Sequence, residues 1–159
     1  MKIRRTLRYL PAAAVLAFGI SASAQPSPNS GQSIEGAWDV SITLPGGFPF
    51  CASAGTIATR DGLVLAESCY ASEGAGYGVW ARAGNGQFAI TFTGNSFDAS
   101  GVVIGKYKVR ATVTLSSDGN SFSGTYRTDI LDVAGNPLNP PVATTGTVSG
   151  VRIKLEPIN

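Results

Sequence analysis

The chemistry open to this chain is bounded first by a missing residue type. None of its 159 residues is histidine. That removes Ser-His-Asp and Cys-His nucleophilic devices and the usual imidazole ligands of a metal. Acid–base work would fall to carboxylates, tyrosines or lysines. Among the acids Glu67 and Asp132 stand out, each near the end of an apolar run. Tyr77, Tyr107 and Tyr126 are the tyrosines whose hydroxyls could be carried inside the fold. Two readings of these groups stand: a proton-transfer set, or solvated acids at strand ends and tyrosines that fill core. The glycines fall at turns and form no G-x-x-x-x-G-K loop for phosphate. The sequence therefore implies no cofactor and no metal.

Cys51 and Cys69 are the two cysteines. Their meaning depends on the compartment, which the first residues address. Lys2, Arg4, Arg5 and Arg8 precede an apolar run from Leu10 to Ile20, and Ala22-Ser23-Ala24 has the A-x-A form of a cleavage site. This is the pattern of a secretory signal peptide over residues 1–24, with a mature chain from Gln25. The alternative is a retained anchor, but the run is short for a stable bilayer span. A lipoprotein would need a cysteine where Gln25 stands. The expected location is outside a bacterial cytoplasm, periplasmic or secreted. There a cysteine pair reads as a disulfide, the alternative being two buried thiols.

Cleavage also reverses the charge. Of twelve basic residues, four lie in 1–24, leaving eight against ten acidic ones. The alkaline isoelectric point thus belongs to the targeting segment. With no basic cluster beyond Lys106, Lys108 and Arg110, the mature domain is not expected to bind nucleic acid.

The elements that must position these groups are strands. Residues 25–34 are polar and Pro-rich at first, and predict a flexible leader. From 35 to 159 one pattern repeats, an alternating run followed by a turn containing Gly. Strands are predicted over 36–44, 52–60, 63–69, 77–83, 87–97, 102–115, 121–133 and 142–155, with 137–141 as a long late loop. The fold class is all-β: an eight-stranded antiparallel up-and-down meander, closed into a barrel because closure removes two exposed edges. Lys, Arg, Asp, Ser and Thr on the presumed outer faces argue against a membrane barrel, and no stable membrane insertion is expected. Asp61-Gly62 predicts a two-residue hairpin turn. That turn would set Cys51 opposite Ser72, three positions from Cys69. A bulge, a longer loop or a cysteine outside the ladder would reconcile the pair.

Period two turns Trp38, Val40, Ile42, Phe88, Ile90, Phe92, Tyr107, Val109, Val113, Phe122 and Tyr126 inward. A barrel of this size is either just filled by side chains or holds one small ligand. Gly105 and Gly124, in the same register, either leave room or let a strand bend. Phe48 and Phe50, in the first long loop, form a lid or cover the barrel end. The candidate ligand contacts are Phe48, Phe50, Phe88, Phe92, Tyr107 and Tyr126.

Gly36-Ala37-Trp38 at the start of the first strand matches a G-x-W motif, and Arg152 lies in the last strand. With eight strands, these features resemble the calycin superfamily of lipocalins, fatty-acid-binding proteins and avidins. The chain lacks the second and third lipocalin signatures. The resemblance implies that Trp38 and Arg152 close the barrel, the guanidinium lying on the indole face and bonding to carbonyls. The domain is also similar, in general pattern, to allene-oxide-cyclase-like barrels. The implied functions, in order, are a module binding a small apolar molecule, a secreted interaction or inhibitor protein using the leader and loops, and a cofactor-free cyclase-like enzyme.

Overall fold

The computed structural model describes residues 32–158 except 85. The expected signal peptide, 1–24, and residues 25–31 of the expected leader lie outside the described residues. Eight strands follow one another: β1 (Gly36–Thr43), β2 (Pro49–Ala58), β3 (Leu63–Ala66), β4 (Gly76–Gly84), β5 (Gln87–Phe97), β6 (Val103–Leu115), β7 (Ser121–Leu131) and β8 (Pro137–Arg152). Each pairs antiparallel with the next, and β8 returns to β1 from Thr43↔Thr147 to Trp38↔Arg152. The meander therefore closes on itself as a barrel, with β8 beside β1.

One end is closed and packed. Ile34, Trp38, Val40, Ala58, Phe88, Val113, Leu115 and Phe122 form a single buried cluster there. Trp38 meets Phe122 edge to face at 5.0 Å between centroids. Ile34 is 1% exposed, so this position is part of the packed domain and not of the flexible leader expected over 25–34. An apolar side chain directly before β1 is better placed in the core than in water, and Trp38 Nε1 fixes it by donating to the Ile34 carbonyl at 2.8 Å.

The ring is uneven. The β5–β6 ladder runs from Gln87↔Thr114 to Phe97↔Val103. The β2–β3 ladder has only Thr56↔Ala66, Ile57↔Leu65 and Ala58↔Val64. Its turn also differs from expectation. Thr59 N–H donates to the Leu63 carbonyl and Gly62 N–H to the Thr59 carbonyl, leaving three residues, Arg60 to Gly62, in the loop. Gly62 takes the left-handed conformation, with φ of 82°. This is a turn closed by a glycine bulge, not the two-residue form.

The inward register of β1, β5, β6 and β7 follows the alternation, but β4 does not. Gly78 pairs with Phe92 and Trp80 with Ile90, so Gly76, Gly78, Trp80 and Arg82 take the inner parity. Tyr77 and Val79 therefore face out, at 63% and 57% exposure, beside Leu63 and Leu65 of β3. Tyr77 places no hydroxyl inside the barrel. The outer wall over β2–β4 is apolar, whereas Lys108, Arg110 and Arg127 lie on that of β6–β7. The expected late loop also changes. Pro137 already pairs with Leu131, and Val142 with Ile130, so residues 138–141 bulge out of the ladder within β8.

Candidate functional site

The half of the barrel away from Ile34 is hollow. A cavity of about 420 Å³ stands on Val40, Val113 and Phe122, the upper layer of the core cluster. Ile42, Ile90, Phe92, Val109, Ala111 and Val148 wall it with hydrocarbon. Tyr107, Tyr126 and Thr128 add hydroxyls, and Phe50, Tyr70, Glu67, Ser68 and Glu73 complete the lining toward the mouth.

So many aromatics could have filled this space. They do not, because glycines receive the rings. Tyr107 is paired with Gly94, Tyr126 with Gly146 and Phe122 with Gly150. A Cβ on Gly94 would fall 2.5 Å from Tyr107 Cζ, and one on Gly150 would fall 2.4 Å from Phe122 Cζ. Each ring thus lies along the wall, over the bare backbone opposite, and the centre stays open. Gly124 has another use. A Cβ there would meet the Thr112 carbonyl oxygen at 2.0 Å, so it permits close strand approach and adds no room.

The mouth is built by the connection between β3 and β4. Because β3 ends at Ala66, residues 67–75 are free to cross toward β5. Gly74 N–H donates to the Asn95 carbonyl and Phe97 N–H to the Ser72 carbonyl. Cys51 and Cys69 form a disulfide with Cα atoms 5.7 Å apart. The register is reconciled by the longer turn, by an extra residue in β2 between Val40↔Ala54 and Ile42↔Cys51, and by Cys69 lying beyond β3. The neighbours of the two cysteines, Phe50 and Tyr70, meet edge to face at 4.8 Å and form a lip.

Glu73 comes from this connection, and sequence reasoning missed it. Ser68 Oγ donates to its Oε2 at 2.5 Å. Burial raises its carboxyl above the ordinary range, with the Ser68 bond opposing. Tyr107 Oη donates to the Gly74 carbonyl at 2.7 Å. Burial, helped by the negative charge of Glu73, pushes the Tyr107 phenol up to about 12. Burial and then Glu73 also raise Tyr70, while burial and then Tyr70 raise Tyr126. The site thus holds tyrosines that stay protonated and one carboxyl that resists ionisation.

Of the six candidate contacts, Phe50, Phe92, Tyr107 and Tyr126 line the cavity. Phe88 is fully buried at 0% exposure in the core beneath it, edge to face with Trp80. Phe48 is 68% exposed on the first loop and lies outside the lining. Glu67 lines the mouth, and its Oε2 accepts the Gly55 N–H at 2.9 Å. Asp132 is a turn residue. The backbone and side-chain N–H groups of Asn136 bond it and hold its carboxyl below the usual range.

Trp38 and Arg152 meet at the closed end, the guanidinium carbon 4.2 Å from the indole centroid. Arg152 Nε donates to Gly119 at 2.9 Å, Nη2 to Ser33 at 2.8 Å and Nη1 to Glu35, all at carbonyl oxygens. The segment entering β1 is therefore tied across the end opposite the cavity. No family model matches the chain, and no curated protein matches it.

Proposed function

We propose that this protein is an exported, calycin-like barrel that binds a small, largely apolar molecule. The observation that carries this reading is the cavity of about 420 Å³ walled mainly by hydrocarbon. Its size lies in the roughly 300–1,000 Å³ range of small-molecule sites, and a few polar groups at one end are what such sites use for orientation. The Trp38–Arg152 stack at the closed end supports the calycin likeness.

Displacement of an environment-sensitive fluorophore from the purified protein by apolar compounds tests the reading. Ala111 faces the cavity, so Ala111→Phe would place a ring in the space. The variant is expected to keep its near-ultraviolet dichroism and lose at least about tenfold in probe affinity, since overpacking is tolerated where there is a void to fill. Wild-type affinity in Ala111→Phe, or no probe binding by the native protein, overturns the reading.

Glu73 supports a second reading, cofactor-free acid–base catalysis in the same cavity. It differs in one respect: bound compounds would be recovered chemically changed, whereas a carrier returns them intact.

A further inference from the structure

We propose that the molecule held in the cavity is a cation with an apolar body, an amine whose nitrogen rests against Glu73 at the mouth. This builds on the binding reading and adds the ligand's charge.

The argument starts from which charged groups the cavity contains. Glu67 and Glu73 line it, and no lysine or arginine among the described residues does. Glu67 has a structural use, since it caps the Gly55 N–H of β2. Glu73 accepts only the Ser68 hydroxyl among the described residues, through Oε2. No hydrogen bond from a described residue occupies its other oxygen, and the residue lines the cavity. A carboxylate ligand would bring a third negative group to this end with no cation to meet it, which is costly where water is partly excluded. A neutral alcohol could hydrogen-bond but would leave the charge unmatched. An ammonium group supplies both a donor and the opposite charge.

The surroundings suit such a head group. Tyr70 and Tyr107 line the same cavity as Glu73, and Tyr107 Oη bonds the carbonyl of the adjacent Gly74. Aromatic faces attract cations as well. The rest of the wall is mainly hydrocarbon down to Phe122, so the tail and the head of an amphiphilic amine find matching surfaces in one cavity.

Decylamine, decanol and decanoate share one tail and differ in charge, so their affinities at neutral pH separate the two readings. We expect decylamine to bind about tenfold tighter than decanol, a charge-assisted bond's contribution of ~1.4 kcal/mol, and decanoate to bind most weakly. In Glu73→Gln, which keeps an acceptor for Ser68 and for an alcohol but loses the charge, the amine's advantage over decanol should fall below about threefold. Equal affinities for all three leave the cavity reading standing and overturn the charge proposal. So does a preference for decanoate, or an amine advantage that survives Glu73→Gln. Failure of all three to bind removes the cavity reading, and this proposal with it.

Discussion

Glu73 concentrates the chemistry of the molecule in one side chain. It is half-buried, beside tyrosines and an apolar wall, and burial raises its carboxyl. A carboxyl raised in the folded state binds its proton more tightly there than in the unfolded chain. Glu73's own contribution to folding stability is then fully present below the ordinary carboxylate range and is lost as pH rises through the raised value. Groups near it do not reverse the sign. Tyr70 and Tyr107 stay neutral at these pH values, and Ser68 only opposes part of the shift. Glu73→Gln cannot ionise and keeps the acceptor, so it should melt at a higher temperature than the native protein near pH 7 and at the same temperature near pH 3. Thermal melts across pH check this. A variant that is less stable at neutral pH would mean that the charge is compensated in the empty protein.

At the scale of elements, the hollow depends on glycine–aromatic pairs and on one irregular connection. Alanine usually strengthens a strand relative to glycine. At Gly94 the sign should reverse, because the new Cβ would fall within 2.6 Å of three Tyr107 atoms. Gly94→Ala should push that ring into the cavity and break its bond to Gly74, costing about 2 kcal/mol in urea titration and weakening probe binding. The disulfide holds the connection from the other side. Replacing Cys51 and Cys69 with serine should cost about 3 kcal/mol for a closed loop of this length. Amide exchange should then quicken first in residues 67–75 and in β3, whose ladders are short. This division also marks what the sequence could reveal. The strands from Gln87 to Leu131 announce themselves because long alternating runs allow one register. Strand β4 hides its inner face because that face is Gly76, Gly78, Trp80 and Arg82 while Tyr77 and Val79 point out. Glu73 is hidden for a different reason. Its place comes from bonds between the connection and β5, and from a disulfide to β2, which no local pattern encodes. Its nearness in sequence to Cys69 is the one signal that could have singled it out.

The whole molecule divides its labour between two ends. Packing is concentrated where the chain enters and leaves the barrel, and the opposite half is free to be hollow. The closure rests on Arg152, which stacks on Trp38 and donates to three carbonyls. It also explains the glycine of Gly36-Ala37-Trp38. Gly36 has φ of 125°, and a Cβ there would meet Arg152 Nη1 at 2.6 Å. Closing the ring thus requires a residue with no side chain next to the guanidinium. If the two ends are independent, damage to the closure should lower stability and leave the site intact. Arg152→Met retains an unbranched apolar stem over the indole but removes every donor. Hydrogen bonds from a charged group contribute about 1.5–3 kcal/mol each, and water can take over part of that at a barrel end, so the variant should lose about 3 kcal/mol. Urea titration should show a lower midpoint with an unchanged slope, since the same surface is exposed on unfolding. Probe affinity, measured where the variant is still folded, should stay within about twofold of native, because additivity holds for distant sites that share no partners. A loss of affinity in step with the loss of stability would show that Phe122, which contacts Trp38 on one side and floors the cavity on the other, transmits the closure to the site.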